Sequence, residues 1–348
     1  MNSFGQSGRI GIASGGNWIV DRVKRIDHFP ERGMLANILS ESCGTGGAAA
    51  NVLIDLARLG ASFPLCGMGV LGDDAEGAFV LGECTRHGID TQFIRSSSKA
   101  PTSYTDVMTE ADSGDRTFYH NRGANALFGP GHVPVRQLSS RIFHLGYLLL
   151  LDLMDQTDPV HGTAAARLLK ELQEAGIKTS VDVVSEDSDR FRLLVPPALK
   201  YIDYLILNEI EIGRIVGVNP RRADGGLDCA ALVESVETLH GLGRMEFVAV
   251  HMPEGVYLRD RQGHRWSQGS RILPPGHIQS AVGAGDACCA GMLYGLHEGW
   301  GLRESAELGI ATATASLADS TASGGVGPCE EVLALARQFP ERPPPLSC

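Results

Sequence analysis

The chain has 348 residues, a formal net charge of −11 at pH 7, 43% hydrophobic residues and 43 glycines. Such a chain buries a sizeable α/β core and is not a disordered one, and its negative charge argues against nucleic acid or an anionic membrane as partner. Eight cysteines, at 43, 66, 84, 229, 288, 289, 329 and 348, contain no C-x-x-C pair, so reduced thiols in a cytoplasmic protein are expected and not a zinc site or disulfide scaffold. The opening MNSFGQSGRI lacks the apolar core of a signal peptide, and the longest apolar run, 148–151, is far too short to span a bilayer.

In chain order, residues 9–13 read as a buried strand ending in Ser14-Gly15-Gly16-Asn17. The following stretch, to about residue 43, contains Pro30 and Gly33 and reads as short strands and turns outside the main sheet. Gly44-Thr45-Gly46-Gly47 opens a helix on which Ala48, Val52, Leu56 and Leu59 recur at helical spacing before Gly60 closes it. Residues 62–66 form the next predicted strand, ending in Gly67-Met68-Gly69. Gly72-Asp73-Asp74 caps a helix that stops at His87-Gly88, its acids read as caps and not as metal ligands. Residues 102–122, with a turn at Asp112-Ser113-Gly114-Asp115, read as a β-hairpin.

Beyond the hairpin, residues 142–147 form a strand, 161–175 a helix and 178–184 a strand with Asp182 near its carboxyl end. Residues 202–207 and 247–251 are further apolar strands, 303–317 and 330–337 are helices, and the tail RPPPLSC is expected to fray. Strands and helices alternate without a repeat or a dividing linker. The expected fold is one α/β domain over 1–338, a doubly wound, mostly parallel sheet flanked by helices, followed by the tail 339–348. A small β-strand lid comes from insertions at about 18–43 and 101–123.

Residues 280–291, SAVGAGDACCAG, carry the clearest chemistry. Small residues let backbone N–H groups crowd around an anion, and a helix starting near Ala284 adds unpaired donors and the positive end of its dipole. Asp286 in the first turn is then held beside anything those amides bind. An anion hole next to a carboxylate base suits phosphoryl transfer to a hydroxyl. Cys288 and Cys289 are read as core packing on the same helix.

Gly283-Ala284-Gly285-Asp286 resembles the carboxyl-terminal signature of the PfkB family of carbohydrate kinases, which have the ribokinase-like fold. Gly46, Gly47 and Asn51 resemble the family's amino-terminal signature, and Asn208 with Glu211 resembles its Asn-x-x-Glu motif. The resemblance implies that Asp286 is the catalytic base and that Gly283, Ala284 and Gly285 form the anion hole. Gly46 and Gly47 would let the sugar approach the backbone, and Asn51, Asn17 and Asp21 would bind its hydroxyls. Apart from the resemblance, Arg116 and Arg122 on the hairpin are placed to reach an anionic or hydroxylated substrate, and Arg122 is taken as the lid candidate. Asn208 and Glu211 would organise the water shell of Mg²⁺ near the nucleotide phosphates, Glu211 through water. Gly44, Gly46 and Ala49 also fit a loose dinucleotide fingerprint, but no acid ends the next strand to hold a ribose.

Two departures stand out. Where the family has Thr-x-Gly for ATP, this chain has Val250-His251-Met252 ahead of Gly255, so Val250 and Gly255 take the nucleotide-contact positions and His251 is read as structural. Where relatives have Asp-Thr it has Ser280-Ala281, so potassium dependence is not expected. Relatives often have Lys at the position of Ala48, and its absence argues against ribose and against an already phosphorylated sugar. The resulting expectation is an ATP- and Mg²⁺-dependent sugar kinase, cytoplasmic, able to dimerise through its lid strands. Two alternatives are kept: a nucleoside kinase using Trp18, Phe29, Tyr104 and Phe118 as a base slot, and a sugar-binding sensor without turnover.

Overall fold

A computed structural model describes residues 8–184, 186 and 188–346. Its first half contains strands β1 (Ile12–Gly16), β2 (Ile19–Ile26), β3 (Ile38–Gly46), β4 (Leu65–Gly72) and β5 (Asp90–Ser97), with helices α1 (Ala48–Arg58) and α2 (Ala75–Arg86). Then come β6 (Ser103–Glu110), β7 (Arg116–Asn121), β8 (Ile142–Leu148), the short pair β9 (Thr157–Asp158) and β10 (Gly162–Thr163), and α3 (Ala164–Glu174). The second half runs β11 (Lys178–Val183), α4 (Phe191–Leu194), β12 (Tyr204–Asn208), α5 (Glu209–Val216) and α6 (Cys229–Leu242). It closes with β13 (Phe247–Met252), β14 (Gly255–Asp260), β15 (Arg265–Gly269), α7 (Ala284–His297), α8 (Leu302–Ser316) and α9 (Cys329–Arg337).

The main sheet has the order β15-β14-β13-β12-β11-β8-β1-β4-β5. It is parallel from β13 to β5, while β14 and β15 run antiparallel at one edge. Parallel strands covered on both faces read as unbroken apolar runs. On β12, Leu205 and Leu207 enter one core and Tyr204 and Ile206 the other. Helices α1 and α7 lie on the second side, with Val52, Leu53, Leu56, Cys288 and Met292 in one buried cluster.

Two strands run further than the sequence suggests. β1 continues through Gly15 and Gly16, because a Cβ on Gly15 would lie 2.9 Å from the Phe143 ring and one on Gly16 would lie 1.8 Å from the Gly146 carbonyl oxygen. β4 continues through Gly67 and Gly69, whose bare backbones accept the indole of Trp18. Glycine here is a packing residue and does not end the strand. The tail is also tied down through Leu346: Ile272 N–H donates to the Pro340 carbonyl and Arg342 N–H to that of Ser270, Arg271 pairs with Glu341, and Leu346 packs on the core. Cys229 is disulfide-bonded, against the expectation of reduced thiols throughout, while Cys43, Cys66, Cys84, Cys288, Cys289 and Cys329 are free.

The lid is a separate four-stranded sheet, β3-β2-β6-β7, drawn from both insertions. Asp21 on β2 sits opposite Thr105 on β6, which sits opposite His120 on β7. Asp74, as expected, caps α2, accepting from Gly77 N–H at 2.8 Å. Among the described residues, no helix is long and apolar enough to cross a membrane.

Candidate active site

Strands β8, β11, β12 and β13 end together at one edge of the sheet, and the lid stands over that edge. Between them lies a cavity of about 940 Å³. Open α/β sheets place ligands at the carboxyl ends of their strands, and this cavity follows that rule.

Asp286 sits on the cavity wall in the first turn of α7, only 4% exposed. Asn51 Nδ2 donates to its Oδ2 at 2.7 Å, and the Tyr147 hydroxyl lies 3.1 Å from both carboxylate oxygens. Burial pushes its pKa up to about 6, and the hydrogen bonds from Asn51 and Tyr147 hold it from going higher. A carboxylate so tuned accepts a proton near neutral pH. Tyr147 was missed in the sequence because its role comes from topology: β8 delivers it from the far end of the chain segment to the start of α7.

Gly283, Ala284 and Gly285 line the same wall. Gly283 has φ +77°, and a Cβ there would lie 2.5 Å from that of Ala322, so the turn into α7 requires glycine. His251 also faces the cavity, and a Cβ on Gly285 would come within 3.0 Å of its ring. Burial pushes the His251 pKa down to about 4, leaving a neutral ring as wall.

The sugar-side candidates divide. Asp21, Gly47 and Asn51 line the cavity, and a Cβ on Gly46 would overlap the Asp21 carboxylate at 2.2 Å, so Gly46 makes room for that acid. Asp21 is pushed up to about 7 by burial and by the charge of Asp286. Asn17 is fully buried and does not line the cavity; its Oδ1 accepts from the Tyr147 backbone N–H at 2.5 Å. Arg122 is likewise committed elsewhere, to Asp152 at 2.7 Å and to the Leu149 carbonyl at 3.1 Å. From the lid, Ile19 and Asp21 on β2, Thr105 on β6, and Arg116, Phe118 and His120 on β7 face the cavity.

Asn208 and Glu211 form a capping box on α5, with Asn208 Oδ1 accepting from Ile210 and Glu211 N–H and Glu211 Oε2 accepting from Asn208 N–H at 3.0 Å. Both also line the cavity, with Asp182 and Glu186 beside them. Burial raises Asp182 well above its usual value, and the charges of Glu211 and Asp286 add to that. Such a wall suits a hydrated divalent cation, although among the described residues no three acids, histidines or cysteines gather to hold a bare ion. Ser185, which with Glu186 follows Asp182 in the sequence and was expected to extend its polar cluster, lies outside the described residues. Gly255 lines the cavity, whereas Val250 is fully buried in the core and offers no side chain to a ligand.

Residues 12–326 match the pfkB family carbohydrate kinases, and the chain belongs to that family. It is 31% identical to a probable fructokinase-3 of Arabidopsis thaliana over 52% of this chain and 49% of that protein. The chain thus spans about half the length of that curated relative. It is 24% identical to a ribokinase of Haemophilus influenzae over 90% of this chain and 94% of that one. The fold is that of an Arabidopsis thaliana ribokinase solved with ribose and ATP, at a TM-score of 0.75 and 22% identity, covering 94% of this chain and 99% of that one.

Proposed function

We propose that this protein is an ATP-dependent kinase that phosphorylates a hydroxyl of a sugar or sugar-like small molecule. The observation that carries the reading is Asp286, buried between Asn51 and Tyr147 and adjoining the glycine turn into α7. Asp286 takes the proton from the attacking hydroxyl. The amides of Ala284, Gly285 and Asp286, at the positive end of α7, stabilise charge on the phosphoryl group in transit.

Asp21 and the free Oδ1 of Asn51 face the substrate and hold its hydroxyls, while Asn17 acts through Tyr147. His251 and Gly255 wall the nucleotide side in place of the Thr-x-Gly of relatives. Mg²⁺, when bound, would neutralise phosphate charge; Glu211, through water, with Asn208 and Asp182 nearby, are the residues that would hold it. The lid edge strand β3 exposes Ile38 (49%) and Leu39 (57%), which supports pairing of lids between two copies. Six free thiols support the cytoplasmic placement, with Cys229 the exception.

The nucleoside alternative is weakened by where its aromatics lie. Trp18 is fully buried under Gly67 and Gly69, and neither Phe29 nor Tyr104 lines the cavity, leaving Phe118 of the four. The test is ADP formation with Mg²⁺ and ATP across free sugars, sugar acids, sugar phosphates and nucleosides. Sugar-dependent turnover supports the reading. Adenosine as the preferred acceptor would replace it with the nucleoside kinase, and sugar binding without ATP consumption would replace it with the sensor.

A further inference from the structure

The lid strand β7 alternates, so Arg116, Phe118 and His120 share the face that looks into the cavity, while Thr117, Tyr119 and Asn121 look away. Their partners on β6 are Thr109, Val107 and Thr105, and Asp21 continues the row on β2. His120 Nδ1 lies 3.0 Å from Thr105 Oγ1, but its buried Nε2 has no partner. Arg116 is more unusual. Its Nη1 is buried without a hydrogen bond, and the contact it does make is with the Phe118 ring, 5.9 Å from the guanidinium carbon. Among the described residues no carboxylate lies within ion-pair distance of it, and burial lowers its pKa.

Elsewhere in this region arginines are engaged. Arg22 meets Glu76, and Arg122 meets Asp152 and Glu186. A guanidinium that is half removed from water and left without a counter-charge is costly unless a ligand supplies one. A neutral hydroxyl fills one N–H and leaves the charge uncompensated. A carboxylate or phosphate ester compensates the charge and matches the fork of donors.

Resting on the kinase reading above, we propose that the substrate is a sugar derivative bearing an anionic group, a carboxylate or a phosphate ester, which Arg116 receives at the lid end of the cavity beside His120. The hydroxyl to be phosphorylated then points the other way, toward Asp286. Of the two hairpin arginines, Arg116 and not Arg122 is thus the specificity residue.

The test compares matched substrates: glucose with gluconate and 2-keto-3-deoxygluconate, and fructose with fructose 6-phosphate. Wild type, Arg116→Gln and Arg116→Lys are each measured for KM, kcat and, without ATP, calorimetric binding, with a melting curve to verify folding. The expected result is that wild type favours an anionic member, and that Arg116→Gln raises its KM roughly 30-fold or more with kcat little changed. Arg116→Lys should restore part of the loss, and neutral sugars should be unaffected by either change. Whether the acid or the phosphate ester gains identifies which anion is taken. Preference of the wild type for neutral sugars, or an equal rise in KM for neutral and anionic substrates in Arg116→Gln, would overturn the inference while leaving the kinase standing. Gluconate or fructose 6-phosphate binding to wild type and not to Arg116→Gln, with no ATP consumed, would support the anion site and defeat the kinase. Absence of both binding and turnover would defeat both.

Discussion

The two ends of the cavity are built differently. At the α7 end the Asp286 carboxylate is 4% exposed and held by donors from a helix and a strand of the main sheet, Asn51 and Tyr147. At the lid end, Arg116 and His120 stand on a strand of a small separate sheet with buried nitrogens unpartnered, and Phe118 is 55% exposed. A site whose hydrogen bonds are made within the protein is preorganised for one reaction. A surface whose polar groups are left over is specific for whatever completes them. On the function proposed above, chemistry and choice of substrate are therefore separable in this fold.

That separation sets the order of expected effects. Asp286→Asn should lower kcat by roughly 10²- to 10⁴-fold while substrate binding at the lid persists, measured by steady-state kinetics and calorimetry. Gly283→Val forces a β-branched residue to φ +77° and against Ala322 at 2.5 Å. It should cost at least about 2 kcal/mol in denaturant unfolding and raise the KM for ATP. Tyr147→Phe removes one of the two donors that hold the Asp286 pKa down. The acid limb of kcat/KM should move to higher pH, with a loss at neutral pH of no more than about tenfold.

The smallest kinetic effect, and a clear thermodynamic one, is expected at Asp55. Both its carboxylate oxygens and the nearby Ser323 hydroxyl lack partners, although Ser323 is near enough to temper the shift. Burial, with the charge of Asp286 adding, raises its pKa well above the usual value. A raised folded pKa means stability that is whole below the unfolded value and is lost as pH rises. Asp55→Asn should therefore match wild type near pH 4 and gain about 1.4 kcal/mol per pH unit above it until the folded pKa is reached. Urea unfolding at a series of pH values measures this; a constant difference would contradict it.

Part of the α7 end of the candidate site was legible in sequence because that part is local. Gly283, Gly285 and Asp286 lie within one turn, so a small-residue turn leading into a helix with an acid is readable; Asn51 came from the resemblance to the family signature, and its bond to Asp286 spans most of the chain. Tyr147 was not legible, since its contact with Asp286 joins the end of β8 to the start of a helix 139 positions later. Arg116 and Arg122 both lie on the lid hairpin and share the parity of one face, so the sequence does not separate them. β7 stops at Asn121, however, and Arg122 turns into a 3₁₀ segment at φ −62°, ψ −33°, which carries its side chain to Asp152. Val250 failed for the opposite reason: a position carried over from a family motif was filled by a core side chain. The strands were expected to stop at the glycines of β1 and β4, which in the structure are the places where Phe143 and Trp18 pack closely on the backbone.

The most direct test of Asp286 as a preorganised base is the pH dependence of kcat/KM in wild type, Tyr147→Phe and Asp286→Asn with one turned-over substrate. Our reading predicts a rise of one power of ten per pH unit up to about 6 in wild type, a higher limb in Tyr147→Phe, and no such limb in the slow residual rate of Asp286→Asn. An acid limb that survives unchanged in Asp286→Asn, or a rate in that variant close to wild type, would contradict it.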